Sequence, residues 1–285
     1  MGERQKTKLD LVREFIRNHR LGAIGGLIVI LFLLTGALAP QLAPRDPNKI
    51  SIRDSLAPPG TEGFPLGADH AGRDMLSRLI YGARVSLFVS FIAISMATVI
   101  GVTAGILAAW YKRLETPIMR FMDVLLCFPG IIIALTIIAV LGTGLENLII
   151  AIAISRIPQF ARLVQGLTLS TKQNVYVEAA MSMGVSDSRI LRKHILPNIT
   201  APIVVQISLM IPGAIMTVAG LSFLGLGIAP PTAEWGSMIQ DSLKWSRLAP
   251  WTMVLPGVAL MMVVFGFNTF GDGLRDFMDP RVRKR

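Results

Sequence analysis

Charge-free apolar runs alternate with short polar segments along the whole chain. The first is LGAIGGLIVILFLLTGALA, Leu21 to Ala39, and others occupy Val85 to Trp110, Ile118 to Leu141, Leu145 to Gln165, Ile203 to Gly225 and Pro250 to Phe270. Runs of about 18 residues or more, rising 1.5 Å per residue as helix, cross a hydrocarbon core roughly 30 Å thick. The pattern therefore predicts an all-α polytopic membrane protein with six transmembrane helices and both termini on one side. The run 145–165 fits least well, because Arg156 falls near its middle at a cost of about 2.5–3.5 kcal/mol on insertion scales. Such an arginine must face protein or water. A signal peptide competes for the first run, since basic residues precede it and small ones end it. The length of its apolar core and the five runs that follow favour a span.

The polar segments have characters of their own. Residues 1–20, MGERQKTKLDLVREFIRNHR, place Leu9, Val12, Phe15 and Ile16 on one helical face among basic residues, the pattern of an interfacial amphipathic helix. Residues 40–84 hold Pro40, Pro44, Pro47, Pro58, Pro59 and Pro65 and read as a turn-rich loop. A second loop, 226–249, carries a short amphipathic helix after Trp235. Between the fourth and fifth runs, residues 166–202 include YVEAAMSMGVSDSRILRKHILPN, polar and helix-prone. Here Asn174 is an N-cap candidate for a helix through Glu178, Ala179 and Ala180. Gly184 interrupts it, and a second helix, SDSRILRKHIL, is stopped by Pro197. In the tail 271–285, Asp272, Arg275, Asp276 and Asp279 are spaced for i,i+3 and i,i+4 pairing, either as a solvated helix end or as a contact with a partner.

Composition agrees with the membrane reading and charge orients it. Of 285 residues, 52% are hydrophobic and 16% charged, well below the soluble norm of about 25%. A net charge of +10 could suggest nucleic acid, but the basic residues sit at the ends of apolar runs, where they set topology and meet anionic lipid. Of the 28 Lys and Arg, 20 fall in 1–20, 111–120, 156–198 and 275–285, and eight in 41–84 and 226–250. The rule that basic loops stay inside places both termini and the 166–202 segment in the cytoplasm. Trp110, Trp235, Trp245 and Trp251 lie at or near span ends, where amphipathic rings prefer the interface.

Enzyme chemistry finds no footing. There is no Gly-Lys pair for a phosphate-cradling P-loop, and neither H-E-x-x-H nor G-x-S-x-G occurs. His19, His70 and His194 lack Glu or Cys at ligand spacing and read as surface or interface residues. Cys127 reads as packing within an apolar helix. G-x-x-x-G at Gly22–Gly26 and Gly101–Gly105 permits close helix approach, within the chain or against another subunit. On the fifth run Gln206, Met210, Gly213, Thr217 and Gly220 form a small or polar stripe. Interhelical packing is one reading of it, and the lining of a solute pathway is the other.

At Glu178-Ala179-Ala180, three residues, Gly184, nine residues and then Leu196-Pro197 two places on, the chain resembles the EAA loop of permease subunits of ATP-binding-cassette importers. The family pattern has Ile where this chain has His194, with Ile195 one place later. LGADHAGRDMLSRLIYGARVSL, SFLGLGIAPPTAEWG and FNTFGDGLRDFMDPR resemble the "C" subunit of the dipeptide, oligopeptide and nickel branch. The resemblance implies a type I importer permease fold with core 85–275, a second homologous permease subunit, two cytoplasmic ATPases and an extracytoplasmic solute-binding protein. ATP and Mg would be held by the ATPases, with no cofactor in this chain. Glu178, Ala179, Ala180, Gly184, Leu196 and Pro197 would form the coupling element docked in an ATPase groove. The implied cargo is di- or oligopeptide, with nickel chelates or glutathione-like peptides as alternatives. An ion-coupled secondary transporter, a rival from another class, would call for acidic residues at mid-membrane, and here Asp123 and Glu146 lie near span ends.

Overall fold

The computed structural model describes residues 8–278. Helices dominate, and among the described residues β structure is limited to two isolated bridges in the 40–74 loop. A short amphipathic helix, α1 (Lys8–Asn18), leads into α2 (Arg20–Ala37), which is continued by the single turn α3 (Ala39–Leu42). The side chains of Leu9 and Val12, together with Asp279 and the tail beyond it, lie outside the described residues.

Among the described residues five helices are long and apolar enough to cross a membrane: α2, α4 (Met75–Trp110), α7 (Leu145–Lys172), the helical rod Asp187–Phe223 and α12 (Trp251–Met278). The sixth expected span, 118–141, is not straight. It divides into α5 (Lys112–Leu126) and α6 (Gly130–Leu141), bent by 93°. The cause is local: Pro129 has no N–H to donate and biases Phe128 away from helical geometry. Cys127 consequently sits exposed at the bend and not inside a continuous apolar helix.

Other helices outrun their apolar windows because polar residues cap or bury themselves at the ends. α4 begins ten positions before Val85, where the Asp74 carboxylate accepts from the N–H of Ser77 at 2.8 Å and from its hydroxyl at 2.6 Å. α12 runs on to Met278, with Asp272, Arg275 and Asp276 exposed along its last turns.

The bundle is built around α4 and α7, which pack most extensively. The second G-x-x-x-G makes this contact: a Cβ on Gly101 would lie 2.6 Å from Cβ of Phe160, and one on Gly105 2.6 Å from the Ala161 carbonyl. α2 leans on α12, with Gly22 against Gly273 and Gly25 against the Gly266 carbonyl. The opposite face of α2, with Leu21, Leu27, Ile30 and Leu34, is exposed, as a lipid-facing surface must be.

Candidate functional site

One end of the bundle is closed by a cap made from the 40–74 loop and α11 (Trp235–Ser242). Asp69 is its hub. Its carboxylate holds Nε of Arg73 at 2.6 Å and Nε of Arg78 at 3.5 Å, and Arg73 reaches Asp241 of α11 at 3.8 Å. Arg78 also donates to the carbonyls of Pro47 and Pro231, both at 3.2 Å, so one buried guanidinium ties both loops to α4. Glu234 caps α11 by accepting from the N–H groups of Gly236 and Ser237, each at 2.9 Å, and takes a third bond from Ser86 of α4 at 3.1 Å. It is fully buried, and burial pushes its carboxyl above the ordinary range against the pull of these bonds.

Three of the four tryptophans pack into this cap, and the fourth, Trp110, packs at the other end of the bundle. Trp235 is fully buried, donates to the Leu79 carbonyl at 3.1 Å and lies on Gly82, where a Cβ would come within 2.6 Å of the ring. Trp251 donates to the Ala68 carbonyl at 3.2 Å, Trp245 stacks on His70 at 6.3 Å, and Trp110 sits under the Lys172 ammonium at 4.9 Å.

At the other end, α8 (Val175–Ser182) covers the segment singled out in the sequence. Asn174 stands at its N-cap, but its side chain makes no capping bond and its amide points to the Tyr176 hydroxyl, 3.5 Å away. Gly184 has φ +73, and two bonds close the helix behind it: Gly184 N–H to the Met181 carbonyl at 3.0 Å and Val185 N–H to that of Ala180 at 3.2 Å. This is a Schellman turn, which requires the left-handed conformation that glycine adopts freely. Nothing in the chain lies within 4 Å of a Cβ placed there.

The second helix of the segment is α9 (Asp187–Ile190), a π turn (Leu191–Ile195) and α10 (Leu196–Phe223) in unbroken succession. Pro197 does not stop it. Proline would clash with the carbonyl four residues back in an α-helix, and the wider i→i+5 turn just before it relieves that conflict. The same turn explains the isoleucines: Ile190, Ile195, Ile199 and Ile203 are all buried, at steps of five, four and four. They pack with Val177, Ala180, Trp110 and Val164 in one cluster.

The coupling residues are thus divided. Ala180 faces inward, while Glu178, Ala179, Gly184, Leu196 and Pro197 are exposed. His194 rests against the Tyr176 ring at 5.9 Å, and Asn198 donates to the His194 carbonyl at 2.6 Å and to the Tyr176 hydroxyl at 3.2 Å. Beside them, the phenol of Tyr111 is pushed up by desolvation and then by the Asp187 carboxylate.

Between the two ends, α7 presents Arg156 to α10. Its Nη2 donates to Oγ1 of Thr217 at 3.2 Å, and a Cβ on Gly213 would lie 3.3 Å from the same nitrogen. Of the stripe, Gln206, Gly213, Thr217 and Gly220 are half-buried and Met210 is buried. Near the described C-terminus, Asp272 and Asp276 line a cavity of about 460 Å³ with Arg17 and Arg20, and among the described residues no ion pair joins Asp272, Arg275 and Asp276.

Residues 101–284 match the family described as binding-protein-dependent transport system inner membrane component. The chain belongs to this family. Residues 10–59 also match the N-terminal TM domain of oligopeptide transport permease C. Among relatives, the dipeptide transport system permease protein DppC of Alkalihalophilus pseudofirmus is 41% identical over 269 residues, covering 94% of this chain and 88% of the relative. The glutathione transport system permease protein GsiD of Escherichia coli is 42% identical over 275 residues, covering 95% and 89%. The fold resembles a chain of the inward-facing MetNI methionine ABC transporter, with TM-score 0.57 at 20% identity over 71% of this chain and 97% of that one. The protein is a multi-pass inner-membrane permease of ABC importer type.

The cap network and the Tyr176–His194–Asn198 contact were not anticipated. A signal for the cap existed, since LGADHAGRD concentrates charge immediately before an apolar run. A signal for the π turn existed in the five-residue step between isoleucines.

Proposed function

We propose that this chain and a second, homologous permease subunit together enclose the pathway of an ATP-driven importer of short peptides. Residues 175–197 would receive the motion of a cytoplasmic ATPase subunit. The observation that carries this reading is the divided surface of α8. One side is sealed onto the protein through Val177 and Ala180, whereas Val175 is 81% and Met183 75% exposed on the other, outside any span. Apolar side chains held out by a rigid, well-capped turn suit a protein groove better than solvent. Exposed Glu178 would pair with a basic residue at its edge.

The distribution of Lys and Arg supports a cytoplasmic position for this segment and both termini. ATP and Mg would be bound by two ATPase subunits, and this chain would carry no ATPase site and no cofactor. A solute-binding protein would dock on the opposite, capped end, and the basic residues flanking the spans would meet lipid headgroups. Closure of the ATPases would bias the permease pair between inward-open and outward-open states. Relatives named for dipeptide and glutathione transport are equally similar to this chain, which supports small peptides as the cargo class.

The test is substitution at Met183 in the complete transporter. Met183→Asp is expected to lower both peptide uptake and peptide-stimulated ATP hydrolysis at least tenfold at unchanged membrane level, with Met183→Leu near wild type. Normal uptake by Met183→Asp overturns the coupling assignment.

A further inference from the structure

A cation in the middle of the bundle lacks its counter-charge. Arg156 is the twelfth residue of the 28-residue helix α7, a depth of roughly 17 Å from one end at 1.5 Å per residue. α7 is the least apolar and most buried of the spanning helices. A guanidinium stays charged and offers five N–H donors. Here one donor is used, on the Thr217 hydroxyl, which itself donates to the Gly213 carbonyl at 2.8 Å. The Nε of Arg156 is buried with no acceptor.

Among the described residues no carboxylate answers it. The sequence has no Asp or Glu between 75 and 114, 124 and 145, 147 and 177, or 188 and 233. Asp123, on α5, is paired with Arg162, and Glu146 is ten residues away along α7. Placing a cation without a counter-charge at this depth is costly, so an anion reaching it during the transport cycle would be held.

The surroundings favour a mobile anion over a fixed one. Arg156 is only half-buried, and the stripe beside it is made of Gly213, Thr217 and Gly220, the last with nothing within 4 Å of its Cβ position. Small residues keep bulky side chains away from this stretch of α10 beside the guanidinium. We propose that Arg156, oriented by Thr217, is a transient subsite for the C-terminal carboxylate of a peptide in the pathway. Guanidinium and carboxylate match as a bidentate, charge-assisted pair. This inference rests on the peptide-importer reading.

The test uses the complete transporter in vesicles with its binding protein, supplied with trialanine and with trialanine amide. Each is presented at saturating loaded binding protein, so that discrimination by that protein cancels. Wild type is expected to turn over the free acid at least tenfold faster than the amide. Arg156→Gln should lower the free-acid rate at least tenfold and leave the amide rate unchanged, with Arg156→Lys intermediate and Thr217→Val raising KM for the acid alone. Equal loss for both peptides, with or without failed assembly, overturns the proposal and makes Arg156 the partner of a carboxylate on the neighbouring subunit. Equal rates for both peptides in wild type and Arg156→Gln also overturn it while leaving peptide import intact. A wild-type transporter that moves neither peptide brings down the peptide reading as well.

Discussion

Tyr176 and His194, eighteen positions apart, lie ring against ring with centroids 5.9 Å apart, and Asn198 bridges the hydroxyl of one to the carbonyl of the other. The contact joins the exposed helix α8 to the foot of α10, so that a push on the first is felt by the second. His194→Ala removes the ring contact but leaves Ile195 and the isoleucine cluster in place. ATP hydrolysis by the assembled transporter is expected to persist while peptide moved per ATP falls severalfold. Measuring both rates on one vesicle preparation checks this, and an unchanged ratio refutes it.

Gly184 separates turn geometry from partner contact. With φ +73 and open space around its Cβ position, its substitution strains the backbone and meets no atom of this chain. Forcing an ordinary residue left-handed costs about 1–2 kcal/mol, and Asn tolerates the conformation better. Gly184→Asn should therefore keep most of the uptake if only the turn matters, and lose it like Gly184→Val if a partner occupies the space. On the proposed coupling role, both variants reach the membrane at wild-type level and both fall at least tenfold in uptake.

Glu234 makes the cap sensitive to pH. Its carboxyl is raised in the folded state, so the native protein binds more protons than the unfolded one above the ordinary glutamate value of 4.5. Stability from this group is complete below that value and declines as pH rises through the folded pKa. Thermal unfolding of the purified protein should show that decline, and Glu234→Gln should flatten it. Gln presents an amide where Gly236 or Ser237 donates, so the variant also loses about 1 kcal/mol of capping at low pH.

Hydropathy alone pointed to the five long apolar helices found among the described residues, because an apolar run in a bilayer has few alternatives, but it read the bent pair α5–α6 as one straight span. It misjudged the ends for reasons visible in particular residues. Arg78 was assigned to a loop as a charge, yet Asp69 and two carbonyls neutralise it inside α4. The bend at Phe128-Pro129 was masked by apolar residues on both sides, although the proline itself carries the warning. In the coupling segment the helix, turn and helix were legible, because Gly184 freely adopts the left-handed backbone that ends a helix. The inward facing of Ala180 was not, since which side of an alanine-rich helix is covered depends on α7 and the isoleucines, residues distant in sequence. The meeting of Arg156 with Thr217, 61 positions away, is equally a product of packing.

From Asp187 to Phe223 the backbone is one helix of 37 residues, about 55 Å at 1.5 Å per residue. Its foot carries the Tyr176 contact, its middle the Arg156 contact and its head Ser222, beside Glu234 and the cap. A shaft of that kind has no slack: whatever shifts the foot must shift the head, or flex the rod between them. Flexing is cheapest at Pro202 and Pro212, each of which removes one rung of the hydrogen-bond ladder, and Pro212 stands next to Gly213. On the proposed roles, the coupling contact, the carboxylate subsite and the cap would share a single stiff member whose weakest joint lies beside the subsite.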